Sequence, residues 1–342
     1  MEYLNSIKSL YLTPPSIEII VDENKHKKYK YVTKDNIIIE YPTFYDNDEI
    51  SGKIKLKLNN NESLIYEYIE IILYGIIIIN NPENKTLSES IKNEIYKESK
   101  IILSKENKIT PELIINEITN FDFNFIPKIK PFESYFGNLI QIKYFLKANI
   151  KTNNNTPPFI QNEKQICCLK IENINICDDI IKLKNLEEIN IGVENIIHVK
   201  INLEKKNFFM DDIIKGKINI IKTENIINNI SMIIKKEEKY FLNNDQVIAK
   251  TNELSYYEIA EGIIEQNDEF NFQFFLKNIK NLTPTYDYKD DSDKNKNILS
   301  VKYFICFCFN DEHDYQFFKN IEINIHRMNL SDIIKINKNL NK

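Results

Sequence analysis

The sequence is poor in glycine: six occur in 342 residues, at Gly52, Gly75, Gly137, Gly192, Gly216 and Gly262. Their spacing builds neither GxGxxG nor GxxxxGK[ST], so the glycine-rich loops that cradle phosphates are absent. Arginine is scarcer still. Arg327 is the only one among 45 Lys and Arg residues, which excludes arginine clusters that grip phosphates or carboxylates bidentately. The four histidines, His26, His198, His313 and His326, are scattered, and no HExxH or GxSxG motif occurs. Neither a zinc-protease helix nor a nucleophile elbow can therefore be built. Acidic pairs such as Asp290-Asp291 lack the glycine and register of a calcium-binding loop.

Cysteines number five, Cys167, Cys168, Cys177, Cys306 and Cys308. An odd, clustered set fits reduced thiols better than a disulfide framework. Cys306 and Cys308 share one face if their segment is a strand. Packed thiols are the first reading and a metal pair the second, since no CxxC or nearby histidine completes a tetrahedral site. The longest apolar run, Ile71 to Ile79, has nine residues, less than half of the ~20 that cross a bilayer as a helix. The opening MEYLNSIKSL has no basic region followed by a long apolar run, so it does not read as a secretory signal. Charged residues make up 28% with a net charge of −5, and no broad basic field for nucleic acid follows. The expectation is a cytoplasmic, non-catalytic protein without cofactor or metal, whose membrane association is indirect or peripheral.

What is present is alternation. In PFESYFGNLIQIKYFLKANI, Pro131 to Ile150, a bend is expected at Gly137. Ile142, Tyr144, Leu146, Ala148 and Ile150 then fall on one face of a strand. Glu49 to Leu58, EISGKIKLKL, sets Ile54, Leu56 and Leu58 against Lys53, Lys55 and Lys57, an antiparallel pattern with one wet face. Leu64 to Ile79 reads as a strand, as do Phe121, Phe123 and Phe125 in FDFNF. Glu188 to Leu203 reads as two strands meeting near Glu194 and Asn195, with His198 an ordinary strand residue. Lys25 to Lys30 is a basic cluster, a solvated hairpin tip or a contact for an acidic membrane surface. Thr86 to Leu103 is the one helix candidate: Thr86 and Glu89 make a capping box, and Leu87, Ile91 and Ile95 follow at four-residue spacing.

The second half repeats the first in outline. IKGKINII, Ile214 to Ile221, echoes ISGKIKLK. Phe270, Phe272 and Phe274 echo FDFNF, and Lys302-Tyr303-Phe304 echoes Lys143-Tyr144-Phe145. Three matches in one order indicate two related domains, and several short alternating strands in each indicate β-sandwiches. Cys177 to Leu186 reads as the connection. The expected division is 1–178, 179–328 and a flexible Lys/Asn-rich tail, 329–342.

The segments PSIEIIVD, EISGKIKLKL, FDFNF, KPFESYFGNLIQIKYFLKA, IGVENIIHVKI, IIKGKINI, YEIAEG, NLTPT, SVKYF and DYQFFKNIEINIHR run in order from about Pro15 to Arg327. In them the chain resembles the vacuolar protein sorting-associated protein 26 family, the arrestin-like subunit of retromer. The resemblance implies two tandem arrestin-like β-sandwiches, an all-β protein to whose first domain the pattern-based Thr86 helix would add. It implies a non-catalytic adaptor whose second domain docks on an α-solenoid subunit, in a complex that retrieves cargo from endosomes with sorting nexins.

On the same resemblance, the docking loop matches Tyr257, Glu258, Ile259, Ala260, Glu261 and Gly262. Ile259 is the apolar anchor, and Ala260 is shorter than the residue expected there. By pattern alone Tyr257 to Ile259 is an ordinary strand before a turn. The family's groove adds a cargo peptide as an extra strand, with pocket positions matching Ile191 and Phe318; by periodicity alone both would be core. The region Pro82 to Thr119 and the charged loop Asp287 to Asn297 are longer than the family pattern. An arrestin-like adaptor for a ubiquitin ligase is the alternative, but its PPxY motif is missing: the chain has only Pro14-Pro15-Ser16 and Pro157-Pro158-Phe159. A sandwich-fold enzyme or sugar-binding module is a third reading.

Overall fold

The structure is a computed structural model. It describes residues 16–22, 28–33, 35–46, 48–57, 66–80, 91–104, 118–128, 130–152, 159–171, 187–193, 196–242, 246–289 and 297–327. Contacts divide the chain into two compact units. The first holds nearly all of the strands before residue 171; the second holds those after it, together with 79–80 and 137–140 among the earlier described residues. The expected boundary at 178 and the tail 329–342 lie outside the described residues, as do Thr86, Glu89, Cys177 and Asp290-Asp291.

In the first unit, β1 (Ser16–Val21), β4 (Ile50–Lys57) and β7 (Ile118–Phe125) form one antiparallel sheet in that order. The other sheet runs β2 (Lys28–Val32), β3 (Ile38–Tyr45), β10 (Phe159–Leu169), β9 (Ile140–Thr152), β5 (Tyr66–Ile79), β6 (Ile91–Ser104), with β8 (Tyr135–Phe136) paired to β9. The alternation seen in the sequence sets the inward faces. Ile50, Ile54 and Leu56 of β4 and Ile142, Tyr144, Leu146, Ala148 and Ile150 of β9 are buried. Each such aliphatic side chain removed from water contributes about 1.5–3 kcal/mol before entropy is counted. Lys53 and Lys55 lie outward in long ion pairs with Asp122 and Glu18, at 3.8 and 3.7 Å. Such exposed pairs stabilise little. Gly137 makes the expected bend, its N–H donating to the Ile140 carbonyl at 2.9 Å.

The helix expected at Thr86 to Leu103 is not formed. From Ile91 the chain is the long strand β6, bonded beside β5. Ile91 and Ile95 satisfy helical spacing, but tertiary pairing along an open sheet edge overrides local propensity. Lys92, Glu94, Lys97 and Lys100 are exposed along β6, and such charges discourage pairing with another chain. Among the described residues there is no α-helix; a 3-10 turn occurs at Leu276–Asn278.

The second unit repeats the plan. One sheet runs β11 (Glu187–Val193), β12 (Ile197–Leu203), β14 (Ile213–Thr223), β17 (Glu269–Phe275). The other runs β13 (Asn207–Phe209), β20 (Gln316–His326), β19 (Asn297–Asp311), β15 (Ile227–Phe241), β16 (Val247–Ile264), with β18 (Tyr286–Lys289) paired to β19. The expected loop Asp287 to Asn297 is thus partly strand, Asp287 to Lys289 belonging to β18 and Asn297 to β19. The sheets meet through rings such as Phe272 and Phe307, edge to face at 5.2 Å.

The repeat is structural down to single residues. Gly52 pairs with Phe123 across β4 and β7, and Gly216 with Phe272 across β14 and β17. In each place a phenyl ring lies over the glycine: an added Cβ would stand 2.8 Å from Cζ of Phe123, or 2.5 Å from Cζ of Phe272. Tyr144 and Tyr303, the centres of the two matched tripeptides, are both wholly buried. The Tyr144 hydroxyl donates to the Phe132 carbonyl at 2.7 Å, and the Tyr303 hydroxyl meets Thr283 Oγ1 at 2.8 Å. Burying a phenol this deeply is favourable only because its oxygen keeps a partner. Both units also end on a parallel pair, β10 with β3 and β20 with β13.

Candidate functional site

Apolar side chains left in water on open sheet edges are the informative feature of such a molecule. Among the described residues, strand β16 is an outer edge, paired to β15 alone, and it carries all six docking candidates. They are a strand rather than the loop the resemblance implied. The strand is irregular. Its register with β15 slips opposite Ile227/Asn229, Ile230/Ser231 and Ile234/Lys235. Such bulges bend an edge and re-aim its side chains.

Ser231 pairs with Glu258 and Ile230 with Ala260, so Ile259 is the extra residue of a bulge. It is half-buried. Tyr257 turns inward, its ring edge-to-face with Phe274 at 6.1 Å. Glu258 and Glu261 face solvent, and Glu258 Oε2 accepts from Asn229 Nδ2 at 3.2 Å. Ala260 is half-buried. At Gly262 the backbone adopts φ +117°, a conformation open to glycine and strained for other residues. The next residue, Ile263, is 75% exposed, and Ile264 returns to the core at 2%. Together with Tyr256, 61% exposed, Ile263 is the apolar surface that the sequence reading missed. The signal was present in YYEIAEGII: a glycine followed by two isoleucines breaks the alternation and must leave one outward.

The two pocket candidates lie in different sheets. Ile191, on edge strand β11, is buried, as its periodicity suggests. Phe318 is not core: it is 65% exposed. Ile321, Ile323 and Ile325 point inward and fix the parity of β20, so Phe318 points out while its neighbour Phe317 is half-buried. The strand's other side is partly free. Strand β13 covers only Asn324 to His326, which leaves 316–323 without a described partner there.

The polar groups of this unit serve structure. Asp311 closes the β19–β20 turn, accepting from Asn225 Nδ2 at 2.8 Å and from the backbone N–H of His313 and Tyr315 at 2.9 and 2.8 Å. Burial pushes its carboxyl up, but these bonds outweigh it and hold the group below its ordinary value. His198 lies on the outer face of β12, as expected of a strand residue, its ring nitrogen 3.4 Å from Asn190 Oδ1. Cys306 and Cys308 share the outer face of β19, their sulfurs 3.6 Å apart. The Cys308 S–H donated to its sulfur lowers the Cys306 thiol to about 7, against burial and with help from Lys235; Cys308 is raised in turn. Cys167 and Cys168 are wholly buried, and burial raises the Cys168 thiol to about 12. Among the described residues, no group of three or more His, Cys, Asp or Glu gathers around a point that could hold a metal, and no helix is long and apolar enough to cross a membrane.

Two units of paired sheets, repeated in pairing and in core residues, define an all-β protein of arrestin-like sandwich architecture. The family model described as vacuolar protein sorting-associated protein 26 matches residues 12–314, and the chain belongs to that family. Its similarity to the Plasmodium falciparum (isolate 3D7) protein of that name is 26% identity over 314 residues, 91% of this chain and 95% of the relative. Vacuolar protein sorting-associated protein 26B of mouse is 26% identical over 322 residues, covering 93% of this chain and 86% of its own. The Drosophila melanogaster relative is 28% identical over 323 residues, 91% of this chain but 59% of its own. Family membership assigns the chain a role in vacuolar protein sorting, a protein-transport function.

Proposed function

We propose that the chain is the non-catalytic arrestin-like subunit of a retromer cargo-recognition complex, peripheral on endosomal membranes from the cytoplasmic side. Its α-solenoid partner docks along edge strand β16. The observation that carries this reading is the bulged run Tyr256 to Ile263, where Ile259 occupies a bulge and Gly262 turns Ile263 into solvent. A long edge would ordinarily be shielded, and apolar residues held outward on it favour a protein partner. Ile263 compensates for the short Ala260. The cytosolic tail of a membrane cargo, together with a sorting nexin, adds along the free part of β20. Backbone pairing there supplies affinity and Phe318 supplies side-chain selectivity.

A pull-down with the α-solenoid subunit tests the first contact. Wild type binds, while Ile259→Asp and Ile263→Asp each lose most binding with unchanged circular dichroism. Buried apolar anchors of this kind contribute about 2 kcal/mol or more, near thirty-fold in affinity. Equal binding by both folded variants refutes the site. For cargo, Phe318→Asp weakens peptides carrying an apolar sorting motif in calorimetry; unchanged affinity counts against the β20 edge.

A further inference from the structure

The apolar edge of β16 is set among charges of one sign. Between Lys250 and Lys277 the chain carries Glu253, Glu258, Glu261, Glu265, Asp268 and Glu269, and no lysine, arginine or histidine. Strand β6, by contrast, mixes lysines with glutamates. Two of the carboxylates on and after β16 are matched within the unit: Lys235 lies 3.6 Å from Glu253, and Lys217 lies 2.6 Å from Glu269. Asp268 accepts the backbone N–H of Glu265 at 2.9 Å. Glu258, Glu261 and Glu265 are exposed, and among the described residues no lysine or arginine forms an ion pair with any of the three. The ladder gives the reason. Strand β15 opposes this part of β16 with Ile227 to Ile234, a run without charge, and β19 backs that run with Ile305 to Asp311, whose one charge is again an acid.

Glu258, Glu261 and Glu265 are thus interleaved with Tyr256, Ile259 and Ile263 along one bulged edge. An edge that needed only shielding would carry the charges without the apolar groups. An edge that took a second copy of itself would bring like charges together, which is costly. We propose, resting on the docking along β16 put forward above, that the partner surface seated there is basic: an apolar socket for Tyr256 and Ile263, rimmed by lysine or arginine side chains that meet Glu258, Glu261 and Glu265. The apolar contact holds the complex, while the rim charges set how fast it forms and which partner is accepted. Such attraction acts through water over about one Debye length, ~10 Å at 0.1 M salt, and fades as salt is added.

Association of the full-length chain with the α-solenoid subunit, followed by surface plasmon resonance between about 50 and about 500 mM NaCl, tests the charge. The wild-type on-rate should fall about ten-fold or more across that range, with the off-rate changing less than about three-fold. Glu258→Gln, Glu261→Gln and Glu265→Gln combined should slow association about ten-fold at low salt and remove most of the salt dependence. Removing as many exposed carboxylates outside β16, by Asp35→Asn, Glu204→Gln and Asp211→Asn, should reproduce wild type. Ile263→Asp separates this inference from the docking itself. If it abolishes binding while the wild-type on-rate ignores both salt and the combined glutamine substitutions, β16 is the site but its partner surface is not basic. If the solenoid subunit does not bind wild type at all, both readings fall. If sedimentation of the chain alone shows a dimer that Ile263→Asp dissolves, a second copy occupies the edge and the proposal is overturned.

Discussion

The two units share a plan and differ at their edges. Each stacks a phenylalanine over a glycine and anchors a buried tyrosine by a hydrogen bond to a residue outside the strands. The first unit ends in β6, where Lys92, Glu94, Lys97 and Lys100 are exposed together with Ile101. The second ends in β16, which offers Tyr256 and Ile263, and leaves Phe318 outward on β20. A core must be filled in one of few ways, so it is retained in both copies. An edge has only to avoid the wrong partner, so β6 exposes four charges beside one isoleucine, while β16 exposes Val247, Tyr256 and Ile263 among its glutamates. That difference supports the docking proposed along β16.

The largest effect should come from breaking what the copies share. A Cβ at Gly52 would lie 2.2 Å from the Ile20 carbonyl oxygen, and one at Gly216 2.5 Å from that of Asn202. Gly52→Val and Gly216→Val should each cost about 3 kcal/mol in urea unfolding, the upper end for overpacking a filled core. Gly192→Val makes a control, since its nearest contact is an ordinary 3.5 Å. Next come Tyr144→Phe and Tyr303→Phe. Each removes a hydroxyl and strands a buried polar group, at about 1–2 kcal/mol in the same assay. A cost at one tyrosine alone would break the equivalence of the units.

Gly262→Ala should be smaller in stability, about 1 kcal/mol for a strained φ, yet should reduce solenoid binding because it re-aims Ile263. The smallest stability change belongs to the edges themselves. Ile263→Asp should stay within about 0.5 kcal/mol of wild type. Lys97→Ile with Lys100→Ile on β6 should also fold normally but self-associate, seen as increased light scattering.

Much of the fold was legible because period-two alternation is imposed by the pleat. Strands β4, β5, β7 and β9 formed where alternation or continuous apolar runs announced them, and the matched tripeptides marked equivalent core tyrosines. The failure at β6 is instructive. Four-residue isoleucine spacing is compatible with a helix and with a strand, and pairing with the preceding strand β5 decided between them. The candidate edge was legible only in part. Ile259 could be singled out, but the bulges that displace it, and the exposure of Ile263, depend on register with β15. Phe318 was misread because parity had to be counted back from Ile321 and Ile323.

The parallel pairing of β13 with β20 has a consequence for how the molecule is made. Asn207 meets Asn324, and Phe209 meets His326, so a segment synthesised early in the second unit must wait for nearly the whole chain before it finds its neighbour. Loop closure over such a separation is slow and is postponed to the end. A ribosome releasing this polypeptide short of residue 324 would deliver a half-built second unit with β13 unpaired, a product that quality control should clear rather than one with partial activity.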